Sequence, residues 1–99
     1  MISCVCGSTT LKLEMLKQAE ALTLKGDIVL LPLVFSHYDK VSLSEEQVID
    51  LKRLHLKKMA MSDRIYVVTD GRIGEGLKEE LDFAETLDIP ITWIIAEEV

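Results

Sequence analysis

Residues 64–87 read R-I-Y-V-V-T-D-G-R-I-G-E-G-L-K-E-E-L-D-F-A-E-T-L. A short apolar run, Arg64–Thr69, passes through a glycine-rich loop into a segment with helical spacing. The run does not alternate apolar with polar residues. Strands buried on both faces read this way, as in parallel sheets covered by helices. Three further runs share the character: Ile2–Cys6, Ile28–Phe35 and Ile91–Ile95. Pro32 lies within the second and cannot donate to a ladder, which places that strand at a sheet edge.

Helical stretches separate the four runs. The first spans Thr9 to about Lys25 and stops at Gly26. The second spans Ser44 to about Met61, with Ser44 as cap and Gln47 completing a capping box. The third spans Glu75 to about Leu87, ahead of Pro90. The order β-α-β-α-β-α-β implies a parallel sheet with right-handed crossovers. The expected fold is a single α/β domain over residues 1–99, a three-layer flavodoxin-like sheet of four strands in the order 2-1-3-4. Ligands of such sheets bind beyond the carboxyl ends of the strands, where the winding reverses. That rule selects the loops after strands one, two and three.

Composition narrows the function. The chain has 99 residues and a net charge of −6, which disfavours nucleic-acid polymers and anionic membranes, since both attract clustered cations. No apolar run approaches the ~20 residues of a membrane span, and no basic-flanked leader precedes the first strand, so the expected location is the cytoplasm. Cys4 and Cys6 fall on one face of the first strand. Two thiols alone cannot close a zinc site, which usually takes four ligands, so the leading expectation is plain buried thiols with no metal and no cofactor, and a redox or metal role is the alternative.

Several residues at the expected ligand edge could carry chemistry. Gly7-Ser8-Thr9-Thr10 joins the first strand to its helix; it suits an oxyanion or sugar hydroxyls, and equally a simple capped turn. Asp70, Gly71, Gly74 and Gly76 form the loop after strand three, and His37 stands in the loop after strand two. On the third helix, Leu77, Leu81, Ala84 and Leu87 define an apolar arc at ~100° per residue, and Glu80 falls inside it while Glu79, Asp82 and Glu85 fall outside. A carboxylate on such an arc is either paired, at the rim, or turned into a cleft. On the second helix, Val48, Leu51, His55 and Met59 form one stripe, so the imidazole faces inward as a core or a functional residue.

Three segments together, C-G-S-T-T (6–10), L-H-L-K-K-M-A-M-S-D-R-I-Y-V-V-T (54–69) and G-R-I-G-E-G-L-K-E-E-L-D-F-A (71–84), resemble the nucleoside 2-deoxyribosyltransferase-like superfamily, which includes deoxynucleoside monophosphate N-glycosidases. The resemblance implies an enzyme that cleaves or transfers across the N-glycosidic bond of a nucleoside or nucleotide, with Glu80 as nucleophile and Gly7–Thr10 near a 5′-phosphate. It also implies a homodimer or higher homo-oligomer. Two positions depart from the family pattern: Cys4 replaces an aromatic hydroxyl and His55 replaces an acid. His55 then acts as acid or ligand, or else the chain is a non-catalytic nucleotide-binding or sensor module. An interaction module is the third reading, because Leu13, Leu16 and Leu24 face away from the Leu11–Met15–Leu22 side of the first helix.

Overall fold

A computed structural model describes residues 1–96. Among these residues, four strands form one all-parallel sheet: β1 Ile2–Gly7, β2 Ile28–Leu30, β3 Arg64–Thr69 and β4 Ile91–Ile95, in the order β2-β1-β3-β4. Helix α1 is Lys12–Leu24, α2 is Ser36–Asp39, α3 is Glu45–Ala60 and α4 is Glu75–Leu87. This is the expected α/β three-layer topology.

Strand pleating divides the core in two. Cys4, Cys6, Ile65 and Val67 point to one face and pack with Met59 of α3 and with Leu77 and Ala84 of α4. Val5 and Val68 point to the other face and pack with Met15, Ala19 and Leu22 of α1 and with Phe35. Residues at alternate positions serve opposite layers, which is why these strands carry no apolar–polar alternation. The exposed α1 leucines are those the periodicity excludes from the core, Leu13, Leu16 and Leu24.

Local chemistry sets the element ends. The Ser44 hydroxyl accepts from the Gln47 backbone N–H at 3.1 Å, and Gln47 Oε1 accepts from the Ser44 N–H at 3.0 Å, the reciprocal box expected at the start of α3. Asp63 ties the neighbouring strand starts: its carboxylate accepts from the Ile2 N–H at 2.8 Å, and its own N–H donates to the Ile2 carbonyl at 2.7 Å.

Three boundaries differ from expectation. The predicted strand Ile28–Phe35 pairs only over Ile28–Leu30. Pro32 cannot continue the ladder, and the Leu31 carbonyl accepts instead from Lys58 Nζ at 2.9 Å. The first helix begins with a 3-10 turn, Thr9–Leu11, before α1 proper. The loop after β2 contains α2, which rests on Lys12: its ammonium donates to both Asp39 carboxylate oxygens at 2.9 and 3.0 Å and lies 5.6 and 5.5 Å from the Phe35 and Tyr38 ring centroids. The chain leaves α2 through Lys40 in the left-handed region.

At the outer edge, β4 is only partly covered, and Trp93 and Ile95 remain exposed. No helix among the described residues is long and apolar enough to cross a membrane.

Two substitutions test these supports. Ser44→Ala removes one half of the capping box and is expected to cost about 1 kcal/mol. Gly7 pairs with Val68, and a Cβ there would lie 2.5 Å from the Val68 carbonyl oxygen and 3.3 Å from Met15 Sδ. Gly7→Ala therefore forces β1 away from β3 and is expected to cost roughly 1–3 kcal/mol, the range for overpacking. Urea midpoints at constant slope are the readout for both.

Candidate functional site

The cleft lies where the topology places it. β1 ends at Gly7 and β3 ends at Thr69, and the chain leaves these neighbouring strands in opposite directions across the sheet. The crevice between them is about 450 Å³, within the range of small-molecule sites. Gly7, Ser8 and Thr9 line one side, and Gly74, Gly76, Leu77 and Glu80 line the other. His37 and Ser36 close one end from α2, while Val48, Leu51, Lys52 and His55 enter from α3.

Glu80 is one and a half turns into α4, on the side turned toward α3. Its carboxylate is partly exposed at 23%, with Oε1 3.5 Å from His55 Nε2 and Oε2 buried without a hydrogen-bond partner. At that distance the contact is long for a hydrogen bond, and it is an ion pair when the imidazole is protonated. The neighbouring Glu79 points outward and lies 3.6 Å from Lys52 in an exposed pair. The inward arc thus separates two adjacent glutamates into a solvated one and a cleft one.

His55 is 6% exposed, and neither ring nitrogen has a hydrogen-bond partner. Burial pulls its pKa down, but the Glu80 carboxylate outweighs this, with help from Cys4 and against Lys58, so the imidazole titrates above its ordinary value. Beneath it, Cys4 and Cys6 are free thiols. A hydrogen bond from Cys6 holds the Cys4 thiol below its usual value despite burial, and His55 and Ser62 add to that. The same hydrogen bond, with burial, pushes Cys6 well up. The Cys4 and Cys6 sulfurs and a His55 nitrogen all lie within 4.8 Å of one another.

The loop residues divide. In the first loop the hydroxyls satisfy one another: Ser8 Oγ lies 2.8 Å from Thr10 Oγ1 and caps the Thr10 N–H at 3.3 Å. Thr9 Oγ1 hydrogen-bonds His37 Nδ1, joining two cleft walls. Thr10, Asp70 and Gly71 are not among the lining residues. Asp70 is engaged by Arg72, accepting from its N–H at 3.0 Å, from Nε at 3.1 Å and from Nη2 at 2.6 Å, and this holds its carboxyl below the usual range. Gly71 supplies a positive φ of 101° for the turn. Gly74 and Gly76 face open space, with nothing within 4 Å of an added Cβ.

The sequence did not single out Arg72 and Lys52, which bring positive charge to the cleft beside Asp70 and Glu79. Nor did it reveal that His55 stands over both cysteines. The inward spacing of each was readable, but their meeting depends on how α3 crosses β1.

Comparison with protein-family models, with curated proteins and with solved structures finds no match for this chain.

The Glu80–His55 pair has a definite pH signature. A raised imidazole pKa means that protonated His55 stabilises the fold. That contribution is fully present below the unfolded value of about 6.5 and is lost as pH rises through the folded value. Glu80→Gln removes the partner and leaves burial, so the His55 midpoint is expected to fall. Imidazole proton shifts in the reduced chain, without added ions, measure it; an unchanged midpoint contradicts the pairing.

Proposed function

We propose that the chain acts on the N-glycosidic bond of a deoxynucleoside or deoxynucleotide, with Glu80 as nucleophile. One observation carries the reading: the partly buried glutamate Glu80 lines a cleft of nucleotide size at the switch point of the sheet. The resemblance of the 6–10, 54–69 and 71–84 segments to the nucleoside 2-deoxyribosyltransferase-like superfamily supplies the reaction class.

The mechanism follows from placement. His55 orients the carboxylate through Oε1, and the carboxylate, turned to the cleft, attacks C1′ of the sugar. The C1′–N bond breaks as the C1′–O bond forms, and its electron pair departs with the base, which takes a proton from solvent. Water, or a second base, then displaces Glu80 from C1′ and regenerates the carboxylate. A 2-deoxy sugar reaches the oxocarbenium-like transition state more readily, because no electron-withdrawing hydroxyl sits beside C1′. His55 is a positioning residue in this scheme. Lys52 and Arg72 would favour a phosphorylated substrate electrostatically, and the amides at Gly7–Thr9 would stand close to it. The reading includes a homodimer and a cytoplasmic setting.

A second reading is nucleotide binding without turnover. It is favoured by the ion pair itself, since a carboxylate held by imidazolium is a weaker nucleophile than a free one.

Gly76 helps to separate cleft from fold. Glycine in a helix is less favourable than alanine by up to ~1 kcal/mol, yet it stands in the first turn of α4 with open space before it. Gly76→Ala is expected to be neutral or stabilising, whereas Gly76→Phe fills the cleft and abolishes nucleotide binding, with the thermal transition retained.

Incubation with a panel of deoxynucleosides and deoxynucleotides, read by chromatography, should release free base. Glu80→Gln is expected to lower the rate by at least about a thousandfold, as removal of a nucleophile does. Added acceptor base would reveal transfer. Binding by calorimetry with no base released at any concentration would select the second reading, and equal background from wild type and Glu80→Gln would exclude the first.

A further inference from the structure

β1 is an inner strand of the sheet, and pleating sends both of its cysteines toward α3. There they meet His55. The three side chains are 0, 1 and 6% exposed, and their two sulfurs and one nitrogen lie within 4.8 Å of one another. Buried thiols alone would be unremarkable, because a free cysteine packs as a small hydrophobe. The imidazole is different. A neutral ring carries one donor and one acceptor, and buried polar atoms are nearly always satisfied, yet neither His55 nitrogen is hydrogen-bonded.

We propose that Cys4, Cys6 and His55 form a buried zinc(II) site, with two thiolates and one imidazole as ligands and Glu80 beside the fourth position. Two soft sulfurs and an imidazole suit zinc, and three protein ligands with one open position is the arrangement of catalytic rather than closed structural sites. Bond lengths of about 2.3 Å to sulfur and 2.0–2.1 Å to nitrogen place tetrahedral ligands roughly 3.5–3.8 Å apart. The observed limit of 4.8 Å exceeds this by about 1 Å, which side-chain rotation covers without moving a strand. The charges also balance. Both thiol protons, and the imidazolium proton where His55 carries one, leave for solvent when the ion binds, and two thiolates neutralise Zn²⁺ beside a neutral imidazole. Glu80 Oε1, 3.5 Å from His55 Nε2, can then hold the ring in the way carboxylates orient metal-bound histidines.

The site stands on Cys4, Cys6 and His55 and does not depend on glycosidic chemistry at Glu80.

The test uses the full chain, reduced, stripped with chelator and titrated with Co²⁺. The expected result is saturation at an equimolar ratio, with a near-ultraviolet thiolate-to-cobalt band and intense visible bands of tetrahedral cobalt, both bleached by zinc. Cys4→Ser, Cys6→Ser and His55→Gln should each weaken binding at least about tenfold, while Glu80→Gln keeps the thiolate band. Zinc should raise the melting temperature of the wild type and not that of Cys4→Ser. Circular dichroism shows which variants fold, and the wild-type titration decides the matter if none does. Absence of the thiolate band while both thiols titrate as free, or an undiminished band in the cysteine variants, overturns the proposal.

Discussion

The close approach of β1 to β3 is the constraint on which the rest of the molecule depends. The two strands run parallel in a register that sets Ser3 against Arg64 and Gly7 against Val68. At its last residue β1 comes so near that no side chain fits against the Val68 carbonyl. From this contact the two chains part in opposite directions, one toward α1 and the other toward α4. The gap that their parting leaves is the cleft. The same pairing fixes the pleat, and the pleat decides which β1 side chains lie under α3 and which lie under α1. A shift by one residue would exchange Cys4 and Cys6 for Val5 and dismantle the buried cluster while leaving the strand count intact.

Three ionisable types converge on one small volume: two thiols, an imidazole and a carboxylate. The imidazole and the carboxylate are each awkward to bury alone. Together they form a layered arrangement, with sulfur at the bottom, nitrogen in the middle and oxygen facing the cleft. The influences are mutual, since Glu80 and Cys4 both favour protonated His55, and His55 in turn favours the Cys4 thiolate. Substitution at any one of them should therefore be felt at the others, and single-residue effects here should not add.

Much of this was legible in the sequence, and the limits are instructive. Continuous Val- and Ile-rich runs identified the inner strands because burial on two faces leaves a composition signal. Pro32 marked the edge strand because a missing N–H has a topological consequence. The inward turn of Glu80 and His55 followed from helical periodicity, which is a property of one element. By contrast, α2 was unreadable. It spans four residues, too few for any period, and is held by Lys12 from elsewhere in the chain. Asp70 is a different case: its carboxylate is engaged by Arg72 two residues on, a pairing that the loop sequence alone does not reveal. The Cys4–Cys6–His55 cluster was half visible. Same-face cysteines and an inward histidine were each apparent, and only the crossing of α3 over β1 joins them.

The partly covered outer edge of β4 has a practical corollary. The chain has a single tryptophan, and it sits on that edge strand, 45% exposed, outside the residues that line the cleft. Its fluorescence is thus an intrinsic optical reporter of the integrity of the sheet margin. Titrations of ions or small molecules into the crevice should proceed against a nearly constant emission background, so that denaturation and occupancy can be followed in one cuvette as separate signals.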